Sequence, residues 1–230
     1  MSGGSQQSAA SGRWSGGSGL RSLWRACIRV FFRLLYHEFA WTYDLVAGLV
    51  SFGQWKAWAR AAIPRLHGQR ILELAHGPGH LLVAMRHMGL APVGVDLSLQ
   101  MGQLARGKAR RVGILMPALV RARAQALPFC SGVFDSIVST FPTEFIFDPA
   151  TLHEMARVMR PEGQVVVVAG VIFKQSLPAR LLKWLYQITD QEGSVLPGIA
   201  DAVAEAGLTL EHEREQMGMV DVLMTIARKR

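Results

Sequence analysis

Two acids and a pair of glycines dominate the chemistry this chain can do. They are Glu73, Gly77, Gly79 and Asp96, in the stretch RILELAHGPGHLLVAMRHMGLAPVGVD from Arg70 to Asp96. An apolar run, a glycine turn, a helical apolar pattern, a second apolar run and an acid follow one another. That order is what a strand–turn–helix–strand unit needs to hold an adenosine-containing cofactor. Gly77 and Gly79 permit a sharp turn and close approach of backbone to ligand. The helix after them aims its first N–H groups into the turn. Asp96, closing the second strand, is placed to accept from two ribose hydroxyls. Glu73 puts an acid just before the turn, where a ligand ammonium would be held.

The turn is not a dinucleotide fingerprint. G-x-G-x-x-G requires a third glycine where helix and strand pack closely, and that position is Leu82. Pro78 also removes one backbone donor, which suits a ligand without a pyrophosphate. Further along, Ser98 follows Asp96 as a helix N-cap in Asp96-Leu97-Ser98-Leu99-Gln100-Met101. Then come Ala124-Gln125-Ala126-Leu127-Pro128-Phe129 and Val133-Phe134-Asp135-Ser136-Ile137-Val138. Asp148 caps a helix that has Pro149 at its first position, and Arg157-Val158-Met159-Arg160-Pro161-Glu162-Gly163 ends it.

These four motifs, in this order across about residues 70–170, resemble those of the class I S-adenosylmethionine-dependent methyltransferases. Glu73–Gly79 is similar to E/D-x-G-x-G-x-G, with Ala75 in place of the first glycine. The acid that precedes A-x-x-L-P-F in the family is Arg123 here, which cannot accept a hydrogen bond. The resemblance implies S-adenosylmethionine as cofactor. It implies that the backbone of Ala75, His76, Gly77 and Gly79 holds the methionyl part, with Glu73 ordering the turn or the ammonium. Asp96 takes the ribose, Leu97 and Met101 flank the adenine, and Ala124 and Gln125 read its edge. Thr140 and Phe141 border the reacting methyl. No catalytic base is evident. Glu144 and Tyr43 are the candidates to deprotonate or orient an acceptor, and Glu144 is equally well read as a turn residue facing water.

The elements that must position these residues read as strands near 70–75, 92–96, 118–122, 133–139, 164–171, 208–213 and 220–228. Helices fall near 20–36, 38–50, 54–66, 80–89, 98–110, 149–159, 176–188 and 198–206. Strands alternating with helices imply an α/β fold with a doubly wound, seven-stranded, mostly parallel sheet. About six residues separate the final two strands, too few for a parallel crossover, so the last strand is expected to run antiparallel. The chain divides into a Gly/Ser-rich tail (1–19), basic amphipathic and entrance helices (20–66) and a cofactor-binding domain (67–230). Helix 176–188 is expected to roof the acceptor pocket or simply to pack.

Of the formal charge of +8, residues 1–37 hold +5, as five arginines without an acid. Arg21, Arg25, Arg29 and Arg33 recur every four residues beside Trp24, Phe31 and Phe32. A basic, aromatic-bearing helix reads as a membrane-interface helix. A lid on the domain, a mitochondrial transit peptide and disorder are the competing readings. No uncharged run of about 18 residues marks a membrane span. The expected location is the cytoplasm, with peripheral membrane contact. His76 and His80 lack a third ligand, and Cys27 and Cys130 have neither metal-ligand nor disulfide spacing, so no metal is expected. The one candidate basic cluster, Arg106, Lys108, Arg110, Arg111, Arg121 and Arg123, is read at its helical spacing as a solvated face rather than a nucleic-acid site.

From Phe39 to Trp58 the chain is similar to the entrance helices of the ubiquinone/menaquinone C-methyltransferases and the bacterial phospholipid N-methyltransferases. In them the tyrosine matching Tyr43 closes over the cofactor. With Phe141, Phe145, Ile146, Phe147, Leu181 and Trp184 around the site, a small lipophilic, quinone-like or lipid-like acceptor is expected. Methylation of protein or RNA, and a cofactor-binding scaffold without transfer activity, are the alternatives.

Overall fold

The computed structural model describes residues 53–115, 117–174 and 199–229. Seven strands form one sheet in the order β3-β2-β1-β4-β5-β7-β6. They are β1 (Arg70–Leu74), β2 (Ala91–Asp96), β3 (Ala118–Arg121), β4 (Phe134–Thr140), β5 (Met159–Phe173), β6 (Leu208–Met217) and β7 (Val220–Lys229). The pairs β1–β2, β1–β4, β2–β3 and β4–β5 are parallel, whereas β7 runs antiparallel to β5 and β6. The helices are α1 (Trp55–Arg60), α2 (His80–His87), α3 (Leu99–Arg111), α4 (Pro149–Val158) and α5 (Ile199–Glu205).

The strands carry apolar side chains on both faces because both faces are covered. Along β5, Val165 and Val167 enter one core with Leu72, Leu152 and Met155. Val166 and Val168 enter the other with Ile71, Leu82 and Met85. Trp58, Ala61, Ala62 and Ile63 share this second core. Thus the described end of the entrance segment packs on the sheet. The expected helices 20–36, 38–50 and 176–188 lie outside the described residues.

Three boundaries differ from expectation. The helix expected over 54–66 is α1 followed by a separate 3₁₀ turn, Ile63–Arg65, with Pro64 at its start. Proline lacks the N–H that would continue the α-helix. Strand β5 starts at Met159 rather than at 164: register passes from Phe134↔Met159 to Ser136↔Gln164, so Arg160–Gly163 bulge out of a continuing strand. Strand β6 runs on to Met217, leaving only Gly218 and Met219 before β7. The Glu211–Glu215 segment is polar on both faces because β6 is an edge strand, and Glu213 and Glu215 pair with Arg65.

The motifs seen in the sequence are tied together by side chains. Arg157 donates to the carbonyls of Leu127 (2.9 Å) and Phe129 (2.7 Å) and pairs with Glu154, which accepts from the Leu127 N–H at 2.7 Å. The Leu-Pro-Phe loop is thereby pinned to α4. Asp135 accepts from the N–H groups of Gln69 (3.0 Å) and Arg70 (2.9 Å), which start β1, and from Arg160 in the bulge. Burial pushes the Asp135 carboxyl up, but these donors outweigh it and hold it below the usual range.

Asp135→Ala is expected to cost about 1–3 kcal/mol, because it strands two backbone donors and an arginine. The depressed carboxyl contributes fully above the unfolded aspartate value of about 3.9. That contribution is lost as pH falls through the lower folded value. Denaturant melts of the parent and Asp135→Asn between neutral and acid pH check both the size and the sign. The difference between them should shrink on acidification.

Candidate functional site

Strand order reverses direction between β1 and β4, each of which leads away to opposite sides of the sheet. Crevices outside the carboxyl ends of strands at such a switch point are where α/β sheets hold ligands. Both strands end there in an unusual backbone. Ala75, directly after β1, has φ 54°, and Phe141, directly after β4, has φ 50°. Neither is a glycine, and an L-residue in this region costs roughly 1–2 kcal/mol. Ala75 therefore keeps the left-handed turn of the missing glycine, with its methyl exposed. Phe141 is held by its N–H to the Val168 carbonyl (2.8 Å). Its ring stacks on Trp55 of α1 with centroids 3.8 Å apart.

The turn between β1 and α2 is organised by Asp96. One oxygen of its carboxylate accepts from the Gly77 N–H at 2.9 Å, and the other from the Ser98 N–H at 2.8 Å. A carboxylate offers about four lone-pair sites, so each oxygen retains one for a ligand hydroxyl. Ser98 in turn caps α3 by accepting from the Met101 N–H at 3.3 Å. Gly79 has φ 76°, and a Cβ there would lie 2.6 Å from the Ala105 Cβ, so two constraints demand glycine. Leu82, the side chain that breaks the dinucleotide pattern, is accommodated by Gly94 across on β2. A Cβ at Gly94 would lie 2.8 Å from both Leu82 Cδ1 and His76 Cδ2. The glycine that lets helix approach strand has moved from the helix to the strand. In the sequence it was visible only as an unassigned glycine in a strand, itself a sign of close approach.

Glu73 is almost completely buried, and its Oε2 has no partner among the described residues. Burial, reinforced by the nearby Asp96 charge, drives its carboxyl well above the usual range; a hydrogen bond from the Leu82 backbone opposes this. An orphaned buried carboxyl oxygen beside the turn fits the ammonium of a methionyl group. His76 is also buried, and burial pushes its imidazole pKa down, so it sits neutral with Nδ1 2.7 Å from the Gly77 carbonyl. Its contacts are structural ones within the turn.

The other expected site residues divide. Leu97 is 56% exposed while Met101 is 3% exposed, one free to meet an adenine and the other built into the domain. The Gln125 amide donates to Asp148 at 3.0 Å, the cap of α4. That leaves only the backbone of Ala124 and Gln125 for the role expected of them. Thr140 ends β4 beside the turn. Glu144 is exposed at the start of a 3₁₀ turn, with no bonded partner among the described residues. Tyr43 lies outside the described residues. Among the described residues no group of three or more His, Cys, Asp or Glu is placed to hold a metal ion, and no helix is long and apolar enough to cross a membrane.

The sheet order, the antiparallel β7 and the acid-anchored crevice define an S-adenosylmethionine-dependent methyltransferase of the seven-stranded kind. The chain belongs to the ubiE/COQ5 methyltransferase family, whose model matches residues 30–206. It is 31% identical over 210 residues to the ubiquinone/menaquinone biosynthesis C-methyltransferase UbiE of Pectobacterium carotovorum subsp. carotovorum, covering 87% of this chain and 81% of that one. It is 39% identical over 129 residues to the demethylmenaquinone methyltransferase of Mycolicibacterium paratuberculosis, covering 54% and 53%. Among solved structures, the geranyl diphosphate C-methyltransferase of Streptomyces coelicolor, complexed with S-adenosyl-L-homocysteine, shares the fold. Its TM-score is 0.58 at 14% identity, over 76% of this chain and 80% of that one.

Two substitutions test this site without an acceptor. Ala75→Gly should raise stability by about 1 kcal/mol by removing the left-handed strain. Glu73→Gln tests the buried carboxyl. The folded chain retains a proton that the unfolded chain releases above about 4.3. The parent should therefore lose stability as pH rises from there towards the raised folded value. Thermal melts across that window should show a flatter pH profile for Glu73→Gln.

Proposed function

We propose that the chain methylates a carbon of a quinone-like, lipophilic acceptor, with the crevice between β1 and β4 as its active site. The observation that carries this reading is the aromatic wall at the end of β4. Trp55 and Phe141 stack where the strand leaves the sheet, directly beside the turn that is built for the cofactor. A planar, apolar acceptor matches such a wall. The names of the relatives point the same way, since one is a ubiquinone/menaquinone biosynthesis C-methyltransferase and another a demethylmenaquinone methyltransferase.

S-adenosylmethionine supplies an already activated methyl group on a sulfonium. The chain's own residues position and enclose. The backbone of Ala75, His76, Gly77 and Gly79 would form the methionyl cradle, and the Glu73 carboxyl would accept from the ammonium. Asp96 accepts from the ribose while holding Gly77 and Ser98 in place. Leu97 flanks the base, Met101 stays buried in the domain, and Ala124 and Gln125 meet its edge. Thr140 and Phe141 set the floor on which the acceptor lies. Holding two reactants in line is itself a large part of catalysis for such a transfer. Glu144 is exposed at the start of a 3₁₀ turn, and orienting the acceptor is the role it fits.

Calorimetric titration of S-adenosylmethionine should give micromolar binding for the parent chain. Asp96→Ala should weaken it by at least tenfold, because one substitution removes the ribose acceptor and releases both backbone N–H groups. Incubation with radiolabelled S-adenosylmethionine and a panel of demethylated quinols should then yield a labelled, organic-extractable product. Label that appears only in protein or RNA would overturn the acceptor assignment.

A further inference from the structure

We propose that the β3 edge of the sheet, with the outward face of α3, docks on the anionic headgroups of a phospholipid bilayer. Residues 97–134 contain Arg106, Lys108, Arg110, Arg111, Arg121 and Arg123 and no Asp or Glu. With +6 here and +5 in residues 1–37, a total of +8 leaves the rest of the chain at −3. The near-balance of the domain is thus an average over a positive edge and a negative remainder.

The structure gathers these cations. Helix α3 buries Met101, Ala105 and Ala109. At 3.6 residues per turn, Leu99, Gln103, Arg106 and Arg110 fall on the opposite line, a stripe about 16 Å long, and all four are exposed. Strand β3 is the sheet edge next to this helix, and Arg121 and Arg123 are exposed on and after it. Arg121 reaches back to the Leu97 carbonyl at 3.0 Å, bringing its guanidinium to the start of α3. Lys108, Arg110 and Arg111 also suit the negative end of the helix dipole. That account does not extend to Arg106, Arg121 or Arg123.

Exposed aliphatic side chains lie among the cations: Leu99 at 53%, Val112 at 48% and Leu115 at 75%. Arginines that meet headgroups beside leucines that enter the acyl boundary are the composition of an interfacial surface. A nucleic-acid surface would carry rings for base stacking. The only aromatic residues in 97–134 are Phe129 and Phe134, and they pack on each other with centroids 5.0 Å apart. The inference stands on charge and exposure and does not depend on which acceptor is methylated.

The test is flotation of the full chain with phosphatidylcholine vesicles, with and without 30–40% phosphatidylglycerol as an order-of-magnitude anionic load. Each cation near the surface is worth roughly a fivefold change in affinity. A variant carrying Arg106→Gln, Arg110→Gln, Arg111→Gln and Arg121→Gln should therefore bind anionic vesicles at least tenfold more weakly. The arm is left intact in it. Neutral vesicles should bind neither protein, and high salt should release the parent. Leu115→Asp alone should also weaken binding, and it serves as the second reading if the fourfold variant fails to melt cooperatively. Undiminished vesicle binding by these variants would overturn the proposal by placing the contact elsewhere. Binding of the parent to single-stranded RNA but not to anionic vesicles, lost in the fourfold variant, would overturn it in favour of a nucleic-acid surface.

Discussion

The carboxylate of Asp96 is the interaction on which the site depends. It ends β2, accepts from the Gly77 N–H in the turn after β1, and accepts from the Ser98 N–H that opens α3. Three elements separated in sequence are thereby set relative to one acid before any ligand arrives. The two donors are backbone groups at the start of a turn and of a helix, and each would otherwise lack a partner. A cofactor that binds here meets a carboxylate whose rotamer is already fixed, so little ordering is left to be done on binding.

The remainder of the sheet supports that arrangement from below. Asp135 fastens the start of β1 to β4 and, through Arg160, to the bulge that opens β5. Ser139 on β4 donates to the Leu74 carbonyl at 2.9 Å, tying the two strand ends together just before they turn away. Arg157 and Glu154 fix the Leu-Pro-Phe loop to α4. The motifs that recur along this chain are therefore largely fasteners. They hold the loops at the carboxyl edge in register with one another, and the chemistry falls to the few groups they leave facing the crevice.

Much of this was legible in the sequence. Strand alternation with helical patterns gave the α/β class, and the short link before β7 gave its antiparallel direction. Asp148 and Ser98 announced their caps. What could not be read were effects that depend on residues meeting across the fold. Gly94 makes room for Leu82, but nothing local to either residue says so. Gln125 is occupied by Asp148, so its side chain is diverted from the role its position in the motif implied. Pro161 and Gly163 look like a loop, yet the pairing of β5 with β4 carries the strand through them. The partnership of Trp55 with Phe141 joins a helix before the sheet to a residue after its fourth strand. Averaging the charge of residues 38–230 likewise concealed its segregation, because residues 97–134 hold six cations and no acid while every acid lies outside them.

That segregation makes the described part of the molecule electrically lopsided, positive at one edge and near balance at the other. The cations of α3 and β3 lie at one edge, while β6, with Glu211, Glu213 and Glu215, forms the other. Seven strands place the two edges about 29 Å apart. Arg65, Arg214 and Arg228 pair with the acids of β6 and β7 and bring that side close to balance, so the asymmetry is carried by the positive edge. A charged body with such a moment is turned as well as attracted by an external field. At separations within a Debye length, about 8 Å at physiological salt, the sheet would be rotated about its own axis before contact. The rotational search that ordinarily slows the productive meeting of two surfaces is shortened by the order in which seven strands were laid down.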